Sequence, residues 1–133
     1  LGYWPSVADD ADADPRDRAY ARWLVDTEKV VLSRTLATAP WPRARVVDAP
    51  AADVVRELRG AGGGEILVNS SASVIKPLLA AGLLDRLYLL VVPVLVGGGP
   101  RLFDDGLPSS SWTVTRQEAG ESGELALVYD RVR

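Results

Sequence analysis

The fold is decided between residues 62 and 103: GGGEILVN (62–69), SSASVIKPLLAAG (70–82) and LLDRLYLLVVPVLVGGGPRLF (83–103). Its pattern predicts a strand over Glu65–Asn69, a polar turn, a helix ending at Gly82, a second strand over Leu87–Val96 and a glycine loop. Both strand candidates carry apolar residues in unbroken runs, as strands covered on both faces do. That order is a βαβ unit, and ligands of open α/β sheets sit outside the carboxyl ends of the strands. Ser70 or Ser71 is placed to cap the helix. Pro77 removes one of its backbone bonds and predicts a kink. Gly82 fits the C′ position, with Leu83 folding back on Leu78.

Working outward, the residues before this stretch alternate helix and strand signals. Asp14 followed by Pro15 reads as an N-cap and first helical residue. Tyr20, Trp23 and Leu24 then supply one apolar face, which predicts a helix over Pro15–Val25. Residues 1–13, with the acidic run that starts at Asp9, read as a solvated loop, because carboxylates at this density repel one another. KVVLS (29–33) reads as a strand, the proline-rich ATAPWPR (37–43) as a loop, and Ala44–Asp48 as a second short strand. Pro50 opens a helix with Val54, Val55 and Leu58 as its stripe, and Gly60 ends it. At the far end WTVTRQ (112–117) and ELALVYDRV (124–132) alternate around AGESG, the signature of an antiparallel hairpin. The expected fold class is therefore α/β, a mostly parallel sheet with a C-terminal antiparallel hairpin, in a single domain spanning residues 1–133.

Composition narrows the chemistry. The 133 residues are 47% hydrophobic, enough to fill a core, and the formal charge of −3 gives no basic character of the kind nucleic acids attract. The absence of cysteine and histidine removes disulfides, thiolate metal sites, zinc chemistry of the usual kind and histidine acid–base catalysis. No apolar run is long enough to span a membrane, and LGYWPSV lacks the regions of a signal peptide. A cytoplasmic location is the expectation. The lack of any methionine implies a processed chain or part of a longer polypeptide.

Two polar groups fall at expected strand ends. Ser33-Arg34-Thr35 sets a guanidinium between two hydroxyls, a combination suited to phosphate because arginine bonds two oxygens at once. An ordinary polar surface turn is the plain alternative. Asn69, Ser70, Ser71, Ala72 and Ser73 stand at a helix N-terminus, where free N–H groups and the dipole favour an anion. The plain alternative there is helix capping. Neither glycine triplet is a P-loop, since no GK[ST] follows, and no GxGxxG is present. Taken together, the two groups match the 2′-phosphate and the pyrophosphate of NADPH.

The order KVVLSRTL, helix, GGGEILVNSSASVIKPLLAAGLLDRLYLLVVPVLVGGGPRLF resembles the dihydrofolate reductase-like superfamily. It is most similar to the branch holding the RibD C-terminal reductase domain of riboflavin biosynthesis and its small stand-alone relatives. The resemblance covers nearly the whole chain, and GLLDRLYLLVVPVLVGGGPRLF is its most specific part. It implies a dihydrofolate reductase-like three-layer sandwich and a homodimer. It gives Ser33, Arg34 and Thr35 the adenosine 2′-phosphate, and Asn69, Ser70, Ser71 and Ala72 the pyrophosphate. The family usually has glycine where this chain has Asn69. It also opens with a strand, a substrate loop and a helix entered through a GR-x-T turn. That segment is absent from these residues, and without its strand exposed apolar sheet edges are expected. The general acid normally comes from it, so no catalytic residue is named. Asp85 is nearest to a recurring family carboxylate and is read as a structural charge.

The leading functional reading is an NADPH-dependent reductase acting on a pteridine-, pyrimidine- or similar heterocyclic small molecule. The alternative is a non-catalytic nucleotide-binding or dimeric accessory domain of the same fold. A third, a flavodoxin-like domain, predicts flavin affinity without preference for the 2′-phosphate. None calls for nucleic acid, membrane or metal.

Overall fold

Asp14 caps a helix as its place before Pro15 predicts: its carboxylate accepts the N–H of Arg16 at 2.7 Å. In the computed structural model, which describes residues 3–133, α2 runs over Pro15–Asp26. A short helix, α1 (Trp4–Ala8), precedes it within the segment expected to be a loop. The first two residues of that segment lie outside the described residues. The reason for the helix is burial. Val7 and Ala8 pack on Ala21, which is fully buried, and Trp4 closes the cluster. Alanine at position 21 lets the two helices approach closely. The aromatic residues expected to form the buried face stand beside that contact instead. Trp4 meets Tyr20 edge-on at 4.8 Å, and Trp23 remains 42% exposed. The Arg22 guanidinium donates to the Ala8 carbonyl at the end of α1.

Strands β1 (Lys29–Leu32) and β2 (Ala44–Val47) pair in parallel, Lys29 opposite Ala44 and Leu32 opposite Val47. Lys29 anchors the start of β1. Its ammonium donates to the carbonyls of Val25, Thr27 and Pro42 at 3.2, 2.7 and 2.9 Å, which uses all three of its hydrogens. Burial pulls this ammonium below its usual pKa, the Arg43 guanidinium adds to that, and Asp26 opposes it. These elements make up the first of two compact units, which ends at Pro50.

The second unit runs from Ala51 to Arg133. Helix α3 (Ala51–Gly60) buries Ala51, Val54 and Val55, so the stripe holds apart from Leu58, which is partly buried. Helix α4 (Ala72–Ala80) buries Leu78 almost completely. It ends as expected. The Leu83 N–H reaches the Leu78 carbonyl at 2.9 Å and the Gly82 N–H reaches Leu79 at 3.1 Å, a Schellman motif with Gly82 at φ +66°.

The predicted βαβ unit is not formed as expected. Glu65–Asn69 forms no strand among the described residues, and Ile66 and Leu67 are 43% and 58% exposed. The second strand is shorter, β3 (Arg86–Val91), and its neighbour is antiparallel. It pairs with β5 (Leu125–Arg131), which also pairs with β4 (Trp112–Ala119), giving the order β3-β5-β4. The expected mostly parallel sheet is thus one parallel pair and one three-stranded antiparallel sheet. Full burial of the second strand is also corrected. Leu87 and Leu89 are partly covered, whereas Tyr88 and Leu90 are 63% and 65% exposed. Successive side chains point to opposite faces, and only one face of β3 is covered. The fold class is mixed α/β, with parallel and antiparallel pairing.

The hairpin appears where alternation predicts it. Glycines 120 and 123 close it: the Gly123 N–H reaches the Gly120 carbonyl and Gly123 takes φ +86°. A bulge at Thr115 shifts the β4–β5 register between Val114 and Arg116. Asp85 ties the start of β3 to the rest of the unit, its two carboxylate oxygens taking the guanidinium groups of Arg59 and Arg133. That is the structural role expected of it. Among the described residues no helix is long and apolar enough to cross a membrane.

Candidate functional site

The first unit ends β1 on Ser33, whose N–H continues the ladder to the Val47 carbonyl at 3.1 Å. Its side chain then turns the chain. Ser33 Oγ accepts the N–H of Thr35 at 3.2 Å and of Leu36 at 3.1 Å, and lies 3.4 Å from Thr35 Oγ1. This is a serine-built turn, and it is local enough to form from the sequence alone. It leaves Arg34 projecting at the tip. Arg34 is exposed, and it makes no hydrogen bond or ion pair with another described residue. Most other arginines of the chain are engaged: Arg45 with Glu28, Arg56 with Asp53, Arg59 and Arg133 with Asp85, Arg86 with Asp130. A guanidinium held out by a fixed turn is suited to an oxyanion that brings two acceptors.

The second unit carries Asn69–Ser73, where the chain enters α4. Ser70 takes φ +55°, one of two described non-glycine residues in the left-handed region, Arg43 being the other. Its Oγ donates to Asn69 Oδ1 at 3.1 Å. Asparagine is the residue better suited to that backbone, yet its serine neighbour adopts it. Ser71 occupies the N-cap with φ −105° and ψ 87°, but its side chain makes no capping bond. Its hydroxyl lies 3.5 Å from that of Ser73. The expectation that a serine caps the helix is therefore corrected. The Ser71 carbonyl accepts from Val74 and Ile75, while the Ser71 side chain takes none of the first N–H groups of α4. Those groups, at Ala72 and Ser73, are the orphan donors of a helix N-terminus. A helix N-terminus flanked by three serine hydroxyls is chemically fit for a phosphate oxygen.

The structure thus groups Ser33, Arg34 and Thr35 at the end of β1, and Asn69 to Ser73 at the start of α4. The left-handed residue at 70 carries no sequence signal, because serine gives no warning of positive φ. Lys29 was read only as a strand residue, although a lysine just past a helix C-terminus is a known partner for its last carbonyls.

Residues 2–125 match the model of the RibD C-terminal domain. A crystal structure of a protein assigned to riboflavin biosynthesis in Shewanella sp. PV-4 is similar over 100% of this chain and 88% of its own, with a TM-score of 0.68 and 22% identity. A pyrimidine reductase-like protein from Corynebacterium diphtheriae is similar over 78% of this chain and 50% of its own, with a TM-score of 0.59 and 17% identity. At these identities the likeness is one of fold. No curated protein sequence matches.

Proposed function

The chain belongs to the RibD C-terminal domain family, and from that premise we propose that it is an NADPH-dependent reductase acting on a pteridine-, pyrimidine- or similar heterocyclic small molecule. The observation that carries the reading is Arg34, exposed and unengaged at the tip of a turn fixed by the Ser33 hydroxyl. In this reading Ser33, Arg34 and Thr35 take the 2′-phosphate of the adenosine. The start of α4, with Asn69, Ser70, Ser71, Ala72 and Ser73, takes the pyrophosphate. The nicotinamide supplies the hydride when bound; the protein supplies position and electrostatics. The complete fold in this reading is a dihydrofolate reductase-like three-layer sandwich, a single domain that works as a homodimer in the cytoplasm.

A second reading is a non-catalytic nucleotide-binding or dimeric accessory domain of the same fold. It is favoured by Asn69, whose side chain stands at the pyrophosphate turn with its Oδ1 on the Ser70 hydroxyl. Fluorescence titration of the full chain with NADPH and with NADH tests the shared premise. Saturable binding that prefers NADPH supports it, and no binding of either nucleotide refutes the enzyme and leaves only the accessory domain. Loss of the near-ultraviolet absorbance of NADPH in the presence of oxidised heterocycles then separates the enzyme from the binding domain.

A further inference from the structure

The covered face of the antiparallel sheet holds a cleft of about 360 Å³ that contains no residue of either phosphate turn. Leu87 and Leu89 of β3 and Tyr129 of β5 form its floor, and Leu79 of α4 its side. Phe103 and Trp112 add aromatic walls. The sheet builds this floor by alternation. Leu87 lies directly opposite Tyr129 in the β3–β5 register, and Leu89 is two residues along the same face.

The polar groups at the cleft decide what it would take. Its single carboxylate, Asp104, is neutralised by the Lys76 ammonium at 2.7 Å. The Lys76–Asp104 pair and the residues that line the cleft therefore carry no net charge. The Trp112 indole N–H donates to Ser110 Oγ at 2.9 Å, which holds the ring in place and leaves the serine hydrogen to donate elsewhere. The Tyr129 hydroxyl has no hydrogen-bond partner among the described residues. Three aromatic rings, four leucines and two hydroxyls with unused donors line a half-open, neutral cleft of a size that suits small organic ligands.

We infer that this cleft is a binding site for a neutral, planar, bicyclic aromatic molecule carrying one hydrogen-bonding oxygen or nitrogen. The ring packs against Phe103, Trp112 and the leucines, and its polar atom meets the hydroxyl of Tyr129 or Ser110. A charged ring is disfavoured, since Lys76 and Asp104 already satisfy each other.

Isothermal titration calorimetry of the full chain with 2-naphthol, with and without NADPH, tests this. The expected result is one saturable site with a sub-millimolar Kd, unchanged by NADPH. Leu107→Trp, which fills the cleft from the loop, should weaken binding by about tenfold or more. Tyr129→Phe, which keeps the ring and removes the hydroxyl, should weaken it by a few-fold. Non-saturable heat, or saturable binding equal in all three proteins, overturns the inference. Affinity that falls as protein concentration rises also overturns it, because a second copy of the chain would then be the occupant.

Discussion

Arg86 and Asp130 face each other across the β3–β5 pair and join in a two-point ion pair, Nε to Oδ1 at 2.6 Å and Nη2 to Oδ2 at 2.9 Å. The pair sits on the exposed face of the sheet, where the side chains keep 45% and 34% of their surface in solvent. Hydrogen bonding from Arg86 holds the Asp130 carboxyl below its usual pKa, and raises that of Arg86. A carboxyl whose pKa is lower folded than unfolded adds stability that is fully present above the unfolded value, about 4. That contribution is lost as the pH falls through the folded value. The arginine shift acts far above neutrality and leaves the acid limb alone. Urea midpoints should therefore fall between pH 5 and pH 2 more steeply for the wild type than for Asp130→Asn (pH limits of roughly these values, from). Equal slopes would show that the pair is too well solvated to matter.

Gly82 couples backbone and packing. It needs φ +66°, and a β-carbon there would lie 3.1 Å from Arg131 Nη1. Arg131 is the neighbour that must give way, and its guanidinium lies over the Trp112 ring, 5.8 Å from the centroid. Gly82→Ala should cost about 1–2 kcal/mol from the left-handed backbone alone, with the contact adding to it. In an Arg131→Ala background the cost should shrink towards the backbone part. Chemical denaturation of the four proteins gives the cycle. A neutral Gly82→Ala would contradict the Schellman geometry.

Ser70 offers the opposite case. Its φ of +55° is strained for serine and ordinary for glycine. Ser70→Gly should stabilise the second unit by up to about 1 kcal/mol, less the gain in unfolded-chain entropy. Its one described side-chain bond, to Asn69, is solvent-exposed and of small worth. A loss of stability in thermal unfolding would mean that the hydroxyl is structurally needed.

The local signals in the sequence were the readable ones. Asp14-Pro15, Gly82-Leu83 and the AGESG hairpin each rest on neighbours within a few residues, and each appears at its place. The SRT turn was legible as a polar group but not as a turn built on the Ser33 hydroxyl. Strand partnership was the hardest to read. EILVN has the composition of a central strand, yet composition does not say what lies beside it, and no described strand does. Continuous apolar runs predicted burial on two faces of β3, but one face of its residues stays open. The helix Trp4–Ala8 was missed because its cause, Val7 and Ala8 meeting Ala21, is tertiary and joins segments more than ten residues apart.

The central claim is that Arg34 recognises the 2′-phosphate. A charge-assisted, two-point contact of this kind contributes about 1.5–3 kcal/mol, or roughly ten- to a hundredfold in affinity. The direct measurement is fluorescence titration of wild type and Arg34→Ala with NADPH and with NADH. NADPH affinity should fall by that factor in the variant while NADH affinity stays the same, so that the preference collapses. If Arg34→Ala binds both nucleotides as the wild type does, or loses both equally, Arg34 does not read the 2′-phosphate and the account fails.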